Sequence, residues 1–505
     1  MRTKDIKRDL FDKERLTPSL DEFLRSTNPW WERKPGRVLP SFRRWAFGLT
    51  RRRLESGLAP IVVLRGPRQV GKTTIQEQLI QQYLEEGVEP ERIFRVQFDE
   101  LPPLRELKTP ILSLCRWYEN RILGMTFNEA AHAKRPAYLF LDEVQNLDNW
   151  APQLKSLVDH HTLHVLVTGS SALRIQAGRD SLAGRITQLD LGPLLLREIA
   201  EMRGYGTVQS FLPENGLSPL LDKNFWAGLT EHGKRHSQIR DRAIHDFSAR
   251  GGYPIAQERS DRPWEEVADQ LNEMVIRRVI EHDLRLGERG RKRDSNLLAE
   301  VFRLACRYAG QAPGQAIFVN EIRSALHANI GWQRILTYLR FLDGSLLLRL
   351  VEPLELRLKR KKRANAKICL CDPSLRASWL QEVIPLDPEG LNRSPHLADL
   401  AGRLAESVVG YFLGNIPGLD LAHFPERGAE PEVDFVLTVG DQRIPLEIKY
   451  RKTIDAHRDT LGLRAFIEKS VYNAPFGVLV SLSDEISVPD PRIVTVPLSS
   501  LLLMR

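Results

Sequence analysis

The feature that most constrains this chain is the segment 66–73, which has the pattern G-x-x-x-x-G-K-T. A short β-branched apolar run at 61–64 precedes it, and a helical pattern begins at Ile75. In that setting the glycines let main-chain N–H groups turn towards an anion, and the helix N-terminus adds partial positive charge. A chance match is the alternative, but the strand and the helix on either side argue against it. The sequence therefore predicts a P-loop between the first core strand of a parallel α/β sheet and the next helix.

The predicted ligand of this loop is a nucleoside triphosphate, with ATP and Mg²⁺ as the expected cofactors. Lys72 would reach the β- and γ-phosphates, and the Thr73 hydroxyl would ligate the magnesium ion. The candidate nucleotide contacts are Gly66, Pro67, Arg68, Gln69, Val70, Gly71, Lys72, Thr73 and Thr74.

A second apolar run, 137–141, ends in two acids, Asp142 and Glu143. Functional groups of parallel sheets lie at the carboxyl ends of the strands, so this is the Walker B pattern. Asp142 would hold magnesium through water, and Glu143 would orient the attacking water, a role that an ATPase needs and a simple binder does not. Acids at a strand end also serve as caps, but the P-loop upstream favours the catalytic interpretation, with Lys72 and Glu143 as the catalytic residues.

Several phrases together resemble a widespread group of bacterial and archaeal AAA-like ATP-binding proteins. They are the P-loop itself, Phe-Leu-Asp-Glu-Val-Gln-Asn-Leu at 140–147, Val-Thr-Gly-Ser-Ser-Ala-Leu at 167–173, Ser-Leu-Ala-Gly-Arg at 181–185, Leu-Gly-Pro-Leu-Leu-Leu-Arg-Glu at 191–198 and Gly-Gly-Tyr-Pro at 251–254. The resemblance covers roughly residues 35–480, with an expected insertion at 203–248. It implies an AAA-like P-loop NTPase sheet, then a winged-helix module, then an α/β domain similar to restriction endonucleases.

The same resemblance implies a polar sensor of the γ-phosphate at the end of a third predicted strand, 164–171, which ends in small hydroxyl residues. Thr168 and Ser170 are the candidates. Arg185 follows the third strand and is a candidate nucleotide contact, in its own chain or from a neighbouring subunit. An arginine that never meets a phosphate is equally compatible with the sequence.

The middle of the chain predicts a helix-turn-helix. Residues 318–326 form the first predicted helix with Asn320 as its N-cap, 327–331 a glycine-containing turn, and 332–342 the second helix. Strands at 346–351 and 354–358 would form a wing. The candidate DNA contacts are Arg334 and the basic run Lys359, Arg360, Lys361, Lys362 and Arg363. A solvated charge run, or a protein-packing role for the two helices, is the alternative.

The last third predicts a hairpin in which Asp434 begins one strand and Glu447 and Lys449 end the other. Glu447 and Lys449 alternate by two and therefore share a face. The spacing D-x12-E-x-K resembles the PD-(D/E)XK nuclease signature, and Glu406, on a predicted helix, matches its helical acid. This implies a metal site at Glu406, Asp434 and Glu447, with Glu447 and Lys449 catalytic in magnesium-dependent phosphodiester cleavage. The same fold also serves as a noncatalytic scaffold, and acids on an exposed hairpin are common.

Composition adds limits. The 505 residues suggest two to four domains at roughly 100–200 residues each. The net charge of +8 fits a polyanionic partner such as DNA. Four scattered cysteines do not form a disulfide framework, and the interpretation for Cys369 and Cys371 is two small buried side chains. No apolar stretch is long enough for a membrane span and no secretory signal is present, so we expect a cytoplasmic protein without a membrane partner.

The expected order of domains is an N-terminal arm (1–40), the AAA-like ATPase (41–200), a helical lid with an insertion (201–300), the winged-helix-like domain (301–375) and the nuclease-like domain (376–505). Two functions stay open. One is an ATP-hydrolysing protein that acts on DNA through a magnesium-dependent nuclease-like domain. The other is a noncatalytic, ATP-switched DNA- or protein-binding regulator with an inactive nuclease fold. AAA-like ATPases often form rings, so a homo-oligomer is a further expectation.

Overall fold

The computed structural model describes most of the chain. The described residues are 16–98, 107–147, 149–170, 180–214, 216–283, 294–354, 365–426, 428 and 430–505. The chain divides into two compact units, Met1–Leu191 and Gly192–Arg505. Both units combine helices with a β-sheet, so the fold is α/β overall.

The first unit is built on a five-stranded sheet. Its strands are β1 (Ile61–Arg65), β2 (Ile93–Gln97), β3 (Tyr138–Asp142), β4 (His164–Gly169) and β5 (Ile186–Asp190). The order is β2-β3-β4-β1-β5, and each neighbouring pair is parallel. Strands β1, β3 and β4 are mostly apolar because both of their faces are covered. Since all five strands run in the same direction, the P-loop, the Walker B acids and the end of β4 meet at the carboxyl ends of the strands.

Helices cover this sheet and connect its strands. They are α1 (Pro18–Thr27), α2 (Ala46–Glu55), α3 (Lys72–Glu85), α4 (Pro110–Tyr118), α5 (Phe127–His132) and α6 (Trp150–His160). Short 3₁₀ turns occur at Pro29–Glu32, Pro90–Arg92, Val144–Asn146 and Asp180–Leu182, and a π-helical turn at Glu119–Leu123.

The N-terminal arm docks on β2 through two tryptophans. The indole N–H groups of Trp30 and Trp31 both donate to the carbonyl oxygen of Ile93, at 3.0 and 2.9 Å. The Trp31 ring also packs against Phe94 and Tyr118. Part of the predicted arm is thus helical and packed on the edge of the sheet.

The second unit begins with helices. They are α7 (Leu196–Met202), α8 (Lys223–Arg235), α9 (Ser237–Arg250), α10 (Pro254–Glu258), α11 (Trp264–Leu271), α12 (Ser295–Arg307), α13 (Gln315–Leu326) and α14 (Trp332–Gly344). A 3₁₀ turn lies at Ser218–Leu221. The described part of the amphipathic segment 264–286 is not one continuous α-helix. It continues from α11 as a π-helix, Asn272–Asp283, and residues 284–286 lie outside the described range.

The predicted helix, turn and helix are present in the middle of this unit, with one correction. The first helix begins at Gln315 with Gly314 as its extended N-cap, so Asn320 lies inside the helix and does not cap it. The reason is that residues 315–319 are compatible with a helix, whereas Gly314 takes the extended conformation of a cap. An antiparallel pair follows, formed by β6 (Leu348–Val351) and β7 (Lys367–Leu370). The predicted strand 354–358 falls almost wholly outside the described residues.

The C-terminal part of the second unit contains another five-stranded sheet. Its strands are β8 (Asp420–Phe424), β9 (Val433–Val439), β10 (Gln442–Lys449), β11 (Gly477–Ser481) and β12 (Ile493–Pro497). The associated helices are α15 (Pro373–Leu380), α16 (Pro388–Arg393), α17 (Ala398–Gly414), α18 (Leu461–Ile467) and α19 (Leu498–Leu501), with 3₁₀ turns at Pro395–Leu397 and Ser470–Tyr472.

The order of this sheet is β12-β11-β10-β9-β8, antiparallel among β8, β9 and β10 and parallel among β10, β11 and β12. The predicted hairpin is confirmed as the β9–β10 pair, whose register joins Phe435 to Leu446. Gly440 turns the chain with φ +62°, a conformation that glycine adopts without steric cost. Glu406 lies on α17, which packs against both β7 and β10.

The two glycines of the segment 251–254 form a turn that other residues would not fit. A Cβ on Gly251 would lie 2.0 Å from Asp372 Oδ1, and φ there is +71°. The Gly252 N–H donates to Asp372 Oδ2 at 2.6 Å. The turn therefore fastens the segment before α10 to the buried carboxylate that caps α15.

Candidate nucleotide-binding site and a second acidic cluster

The loop after β1 has the backbone that a phosphate cradle needs. Gly71 precedes α3 with φ +93°, and Gln69 has φ +63°, both in the left-handed region. A Cβ on Gly66 would lie 2.2 Å from the carbonyl oxygen of Leu191, so only glycine fits there. These constraints hold the loop 66–71 in a tight turn that ends at the N-terminus of α3, where N–H groups without helical partners attract an anion.

Lys72 is buried inside this loop. Its Nζ donates to the carbonyl oxygens of Gly66 and Pro67, at 2.9 and 2.7 Å. The ammonium group therefore lies at the inner side of the turn, where it can reach the phosphates of a bound nucleotide.

Asp142 accepts hydrogen bonds from hydroxyls on both neighbouring segments. Thr73 Oγ1 donates to Asp142 Oδ2 at 2.9 Å, and Thr168 Oγ1 donates to Asp142 Oδ1. Burial raises the pKa of Asp142, and the charge of Glu143 adds to the effect. The Thr73 hydroxyl and the Asp142 carboxylate are adjacent oxygen donors, the type of ligand that magnesium prefers, so these residues fit a magnesium ion.

Glu143 has a left-handed backbone with φ +50°, directly after β3. Its Oε2 accepts hydrogen bonds from Ser170 Oγ at 2.9 Å and from Gln145 Nε2. Burial opposes ionisation and is the largest effect, but the charges of Lys72 and Arg68 and these two hydrogen bonds hold the pKa of Glu143 below its usual value. The carboxylate is therefore ionised and oriented.

Three further residues lie near this site, and only one of them, Ser170, was predicted from the sequence. Ser170 donates to Glu143, and its predicted contact with a nucleotide stays a prediction. Gln145 was missed, although its place two residues after Glu143 is a usable signal. Arg95 was missed because β2 was not recognised. It lies 3.6 Å from Asp142 Oδ2 and 3.4 Å from Glu77 Oε1.

Arg185 lies where the strands of the sheet begin, whereas the P-loop lies at their carboxyl ends. It directly precedes β5, its carbonyl oxygen accepts from Ile61 N at 3.1 Å, and its guanidinium pairs with Asp159. The expected contact with a nucleotide of the same chain is therefore not supported, and a contact from a neighbouring subunit stays a prediction.

The second acidic cluster lines a cavity of ≈ 600 Å³ in the second unit. Glu406, Asp434, Glu447 and Lys449 all border it. Lys449 Nζ donates to Glu447 Oε1 at 2.6 Å. The Ile448 N–H donates to Asp434 Oδ2 at 2.9 Å. The four predicted residues thus come together at one wall.

A fifth residue, Lys367 on β7, completes this cluster and was not predicted. Its Nζ donates to Glu406 Oε2 at 2.8 Å and to Asp434 Oδ1 at 2.9 Å, and it lies 3.9 Å from Glu432 Oε1. Its side chain is 2 % exposed. No local signal reveals this contact, because Lys367 is far from the signature in sequence and reaches it through the packing of β7 on α17.

The charges in the cluster are strongly coupled. Burial and the charge of Asp434 raise the pKa of Glu406 and of Glu447 to about 8. Burial opposes ionisation of Asp434 most strongly, but Lys367 and the Ile448 N–H hold the pKa of Asp434 below its usual value. One carboxylate is therefore kept ionised by an ammonium group.

A divalent metal does not fit this cluster as it is arranged. Lys367 Nζ lies between Glu406 and Asp434, where the signature implies a metal ion. Among the described residues, no group of three or more His, Cys, Asp or Glu side chains is arranged to hold a metal. The predicted metal ligands Glu406, Asp434 and Glu447 are thus near one another but are engaged by ammonium groups.

The predicted DNA contacts are only partly described. Arg334 lies on α14, is half-exposed and is 3.7 Å from Asp294 Oδ2. The basic run from Lys359 to Arg363 lies outside the described residues. A cavity of ≈ 510 Å³ is lined by residues of α14 and of the β6–β7 pair, including Trp332 and Arg340 of α14. The expectation for the cysteines is confirmed, since all four are free and buried.

Comparison with known families matches two parts of the chain. Residues 59–200 match the AAA domain family. Residues 241–384 match a domain of unknown function, DUF8612. Most of the AAA match lies in the first unit. This agrees with its parallel sheet, its P-loop and the acids at the end of β3, and the AAA domain implies nucleotide binding.

Two curated relatives come from Methanocaldococcus jannaschii, and both are uncharacterized proteins. One is 26 % identical over 388 residues, which is 76 % of this chain and 74 % of the relative. The other is 26 % identical over 168 residues, which is 32 % of this chain and 33 % of the relative. The likeness to the first extends well beyond the AAA domain.

Among solved structures, the chain is similar to a DNA replication initiation factor. The identity is 16 % and the TM-score 0.23, with 62 % of this chain and 90 % of that chain covered. A TM-score this low does not support a shared fold. Within the described residues, no helix has the length and apolar character needed to cross a bilayer.

Proposed function

We propose that this protein hydrolyses ATP with magnesium at the carboxyl ends of the strands in the first-unit sheet. The observation that supports this most directly is the adjacency of three groups at the ends of β1 and β3. These are the Thr73 hydroxyl, the Asp142 carboxylate bonded to it, and the ionised Glu143 carboxylate. A nucleotide-binding protein without hydrolysis needs the first two, whereas the third supplies what water attack requires.

The role of each residue follows from its position. Main-chain N–H groups of the loop bind the phosphates, and Lys72 exchanges its contacts with Gly66 and Pro67 for phosphate oxygens. A bound magnesium ion would supply charge neutralisation for the phosphates. Thr73 and Asp142 are the groups that would hold it.

Glu143 would orient the attacking water and take up its proton. The hydrogen bonds from Ser170 and Gln145 fix the carboxylate, and the nearby charge of Lys72 keeps it ionised. A fixed, ionised base lowers the reorganisation needed at the moment of attack.

Phosphate release by the purified full chain with ATP and Mg²⁺ tests this proposal. We expect Glu143→Gln to retain ATP binding and to lose hydrolysis by ~10²-fold or more. We expect Lys72→Ala to lose binding in calorimetry. The matched control is Glu85→Gln, a change at an exposed position of α3 that should leave both unchanged. Hydrolysis that persists in Glu143→Gln would contradict the proposal.

We further infer that ATP turnover acts on DNA through the second unit. The supporting observations are the net charge of +8, the basic run at 359–363, and the α13–α14 helix pair followed by β6 and β7. A cluster of cations would neutralise phosphates and give sequence-independent, salt-sensitive binding. In this proposal the α13–β7 region is winged-helix-like, and the sheet β8–β12 with α17 is restriction-endonuclease-like.

Fluorescence anisotropy of a labelled duplex across a salt series tests DNA binding. Alanine at all five positions from Lys359 to Arg363 should weaken binding and flatten the salt dependence by ~0.9 per lost phosphate contact. The matched control replaces the exposed cations Lys34, Arg121 and Lys134 of the first unit. Equal slopes for the wild type and the five-site variant would remove the DNA proposal.

A second candidate is an ATP-switched regulator whose nuclease-like domain is inactive. The observation that favours it is the Lys367 ammonium between Glu406 and Asp434. Plasmid, linear and single-stranded DNA, incubated with and without ATP and with Mg²⁺ or Mn²⁺, separate the two candidates. Cleavage that disappears in Glu447→Ala while ATP hydrolysis persists would favour the nuclease and contradict the regulator.

A further inference from the structure

The position of Lys367 is set by two different elements of the second unit. The side chain leaves β7, and its Nζ meets α17 at Glu406 Oε2 and β9 at Asp434 Oδ1, at 2.8 and 2.9 Å. It also lies 5.0 Å from the centroid of the Phe435 ring. A buried ammonium group with two carboxylates and an aromatic face is held far more firmly than a lysine on a surface.

Most carboxylate oxygens of Glu406, Asp434 and Glu447 are already engaged. Asp434 uses Oδ1 for Lys367 and Oδ2 for the Ile448 N–H. Glu406 uses Oε2 for Lys367, and Glu447 uses Oε1 for Lys449. A divalent ion needs several of these oxygens at little more than ~2 Å, and it would meet a positive charge at the position between Glu406 and Asp434.

The charge balance leads to the same conclusion. Removing a partner from a buried ion pair is costly, because the remaining charges lose their compensation. Lys367 therefore has to stay in place as long as no other cation replaces it. The cluster already holds its cation, and that cation is part of the chain.

We propose that Lys367 takes the place of the divalent metal in this nuclease-like cluster, so that the cluster binds no Mg²⁺ or Mn²⁺ while Lys367 lies between Glu406 and Asp434. Replacing Lys367 by a neutral side chain creates a divalent-metal site there. This inference does not depend on ATP hydrolysis by the first unit. It can hold or fail whatever the fate of the function proposed above.

Binding of Mn²⁺ alone to the full chain without nucleotide, followed by the electron paramagnetic resonance of free Mn²⁺, tests the proposal. We expect Lys367→Met to gain a site that binds at least ~10-fold more tightly than anything in the wild type, and we expect Glu406→Gln in the same chain to abolish it. The matched control is Lys469→Met, which removes a lysine paired with Glu430 outside the cluster. That variant should bind Mn²⁺ as the wild type does.

Thermal unfolding supplies a second readout. Mn²⁺ should raise the melting temperature of Lys367→Met by more than it raises that of the wild type, because a ligand stabilises the state that binds it and the first-unit site is common to both proteins. If Lys367→Met does not fold, the wild type and Glu406→Gln are compared directly, and they should bind Mn²⁺ equally. A wild-type Mn²⁺ site that is lost in Glu406→Gln, or a folded Lys367→Met that gains no site, would overturn the proposal.

Discussion

The protein contains two groups of buried acids, one in each unit, and they differ in which groups lie against the carboxylates. In the first unit, Asp142 accepts from the hydroxyls of Thr73 and Thr168, and the Arg95 guanidinium lies 3.6 Å from Asp142 Oδ2, beyond hydrogen-bond distance. In the second unit, Asp434 accepts from the ammonium group of Lys367. A hydroxyl donates a hydrogen bond and adds no net charge, so a negative site bonded to hydroxyls still attracts a cation. An ammonium group satisfies both the hydrogen bond and the charge.

The difference suggests that acidic residues in a nuclease-like spacing do not suffice for a metal site. The P-loop acids lie beside an oxygen donor that a magnesium ion can share. The C-terminal acids lie beside lysines that compete with such an ion. The nature of the neighbouring donor, and not the number of carboxylates, separates the two sites.

The largest expected effect comes from removing the internal cation. Lys367→Met should lower the free energy of unfolding of the second unit by ~3–5 kcal/mol, because Glu406 and Asp434 would remain buried without their partner. Calorimetry of the full chain measures the shift. The half-exposed Lys469→Met should cost no more than ~1 kcal/mol. Equal shifts for the two variants would contradict the claim that Lys367 neutralises the cluster.

The next effect concerns the acid that lies beside hydroxyls. Asp142→Asn should lower ATP hydrolysis by ~10²–10³-fold, since a metal held in part by this carboxylate contributes several kcal/mol to the transition state. Asp434→Asn should leave hydrolysis unchanged, although it also removes a buried carboxylate. Phosphate-release rates at saturating ATP and Mg²⁺ measure both. A similar loss in Asp434→Asn would mean that the two sites are not independent.

The first-unit site was largely predictable from the sequence, because its chemistry is local. Gly66, Gly71, Lys72 and Thr73 lie in one short loop whose spacing alone fixes their relation. Asp142 was predicted from an apolar run that ends in acids. Arg95 was not, because its strand, Ile-Phe-Arg-Val-Gln, contains a charge that disguises the apolar pattern.

The second cluster was predictable only in its local part. The hairpin register joins Phe435 to Leu446, the neighbours of Asp434 and Glu447, and it follows from a short turn and two alternating strands. Lys367 comes from a strand of another pair, and no period or spacing connects it with Glu406. The contact depends on how β7 packs against α17, which is decided by tertiary structure. The predicted start of α13 was wrong for a related reason. Asn320 is a favourable N-cap residue, but the helix begins before it, at Gln315, and continues through it.

A third buried acid, Asp372, differs from Asp434 in how its contribution to stability depends on pH. Asp372 accepts from the Gly252 N–H, the Ser374 N–H and the Ser374 hydroxyl, and burial raises the pKa of Asp372 to about 6. Its contribution to stability is therefore complete below its unfolded pKa of 3.8 and is lost as the pH rises through about 6. The pKa of Asp434 is instead held low, so its contribution is present above its unfolded pKa and is lost as the pH falls.

Unfolding measured from pH 4 to pH 8 distinguishes these signs. Asp372→Asn should remove a decrease of at most ~3 kcal/mol that the wild type shows as the pH rises through that range. The slope of the curve is the informative quantity, because an amide at this position also faces N–H donors and lowers stability at every pH. An unchanged slope would show that the surrounding N–H groups compensate for the burial of Asp372.

The smallest effect tests whether hydroxyl partners position the P-loop acids. Ser170→Ala removes one hydrogen bond to Glu143 and leaves the one from Gln145. The loss of one such bond is worth ~1 kcal/mol, so kcat should fall by roughly 3–10-fold, with little change in KM if Ser170 acts on the base and not on the nucleotide. Ser56→Ala, at an exposed helix end, is the matched control. A rise in KM at constant kcat would instead mark Ser170 as a nucleotide contact.

Because the Ser170 hydroxyl also helps to keep Glu143 ionised, the acid limb of the pH–rate profile should move to higher pH in Ser170→Ala. This shift follows from the loss of a hydrogen bond to the charged form, and a role in packing alone would leave the limb in place.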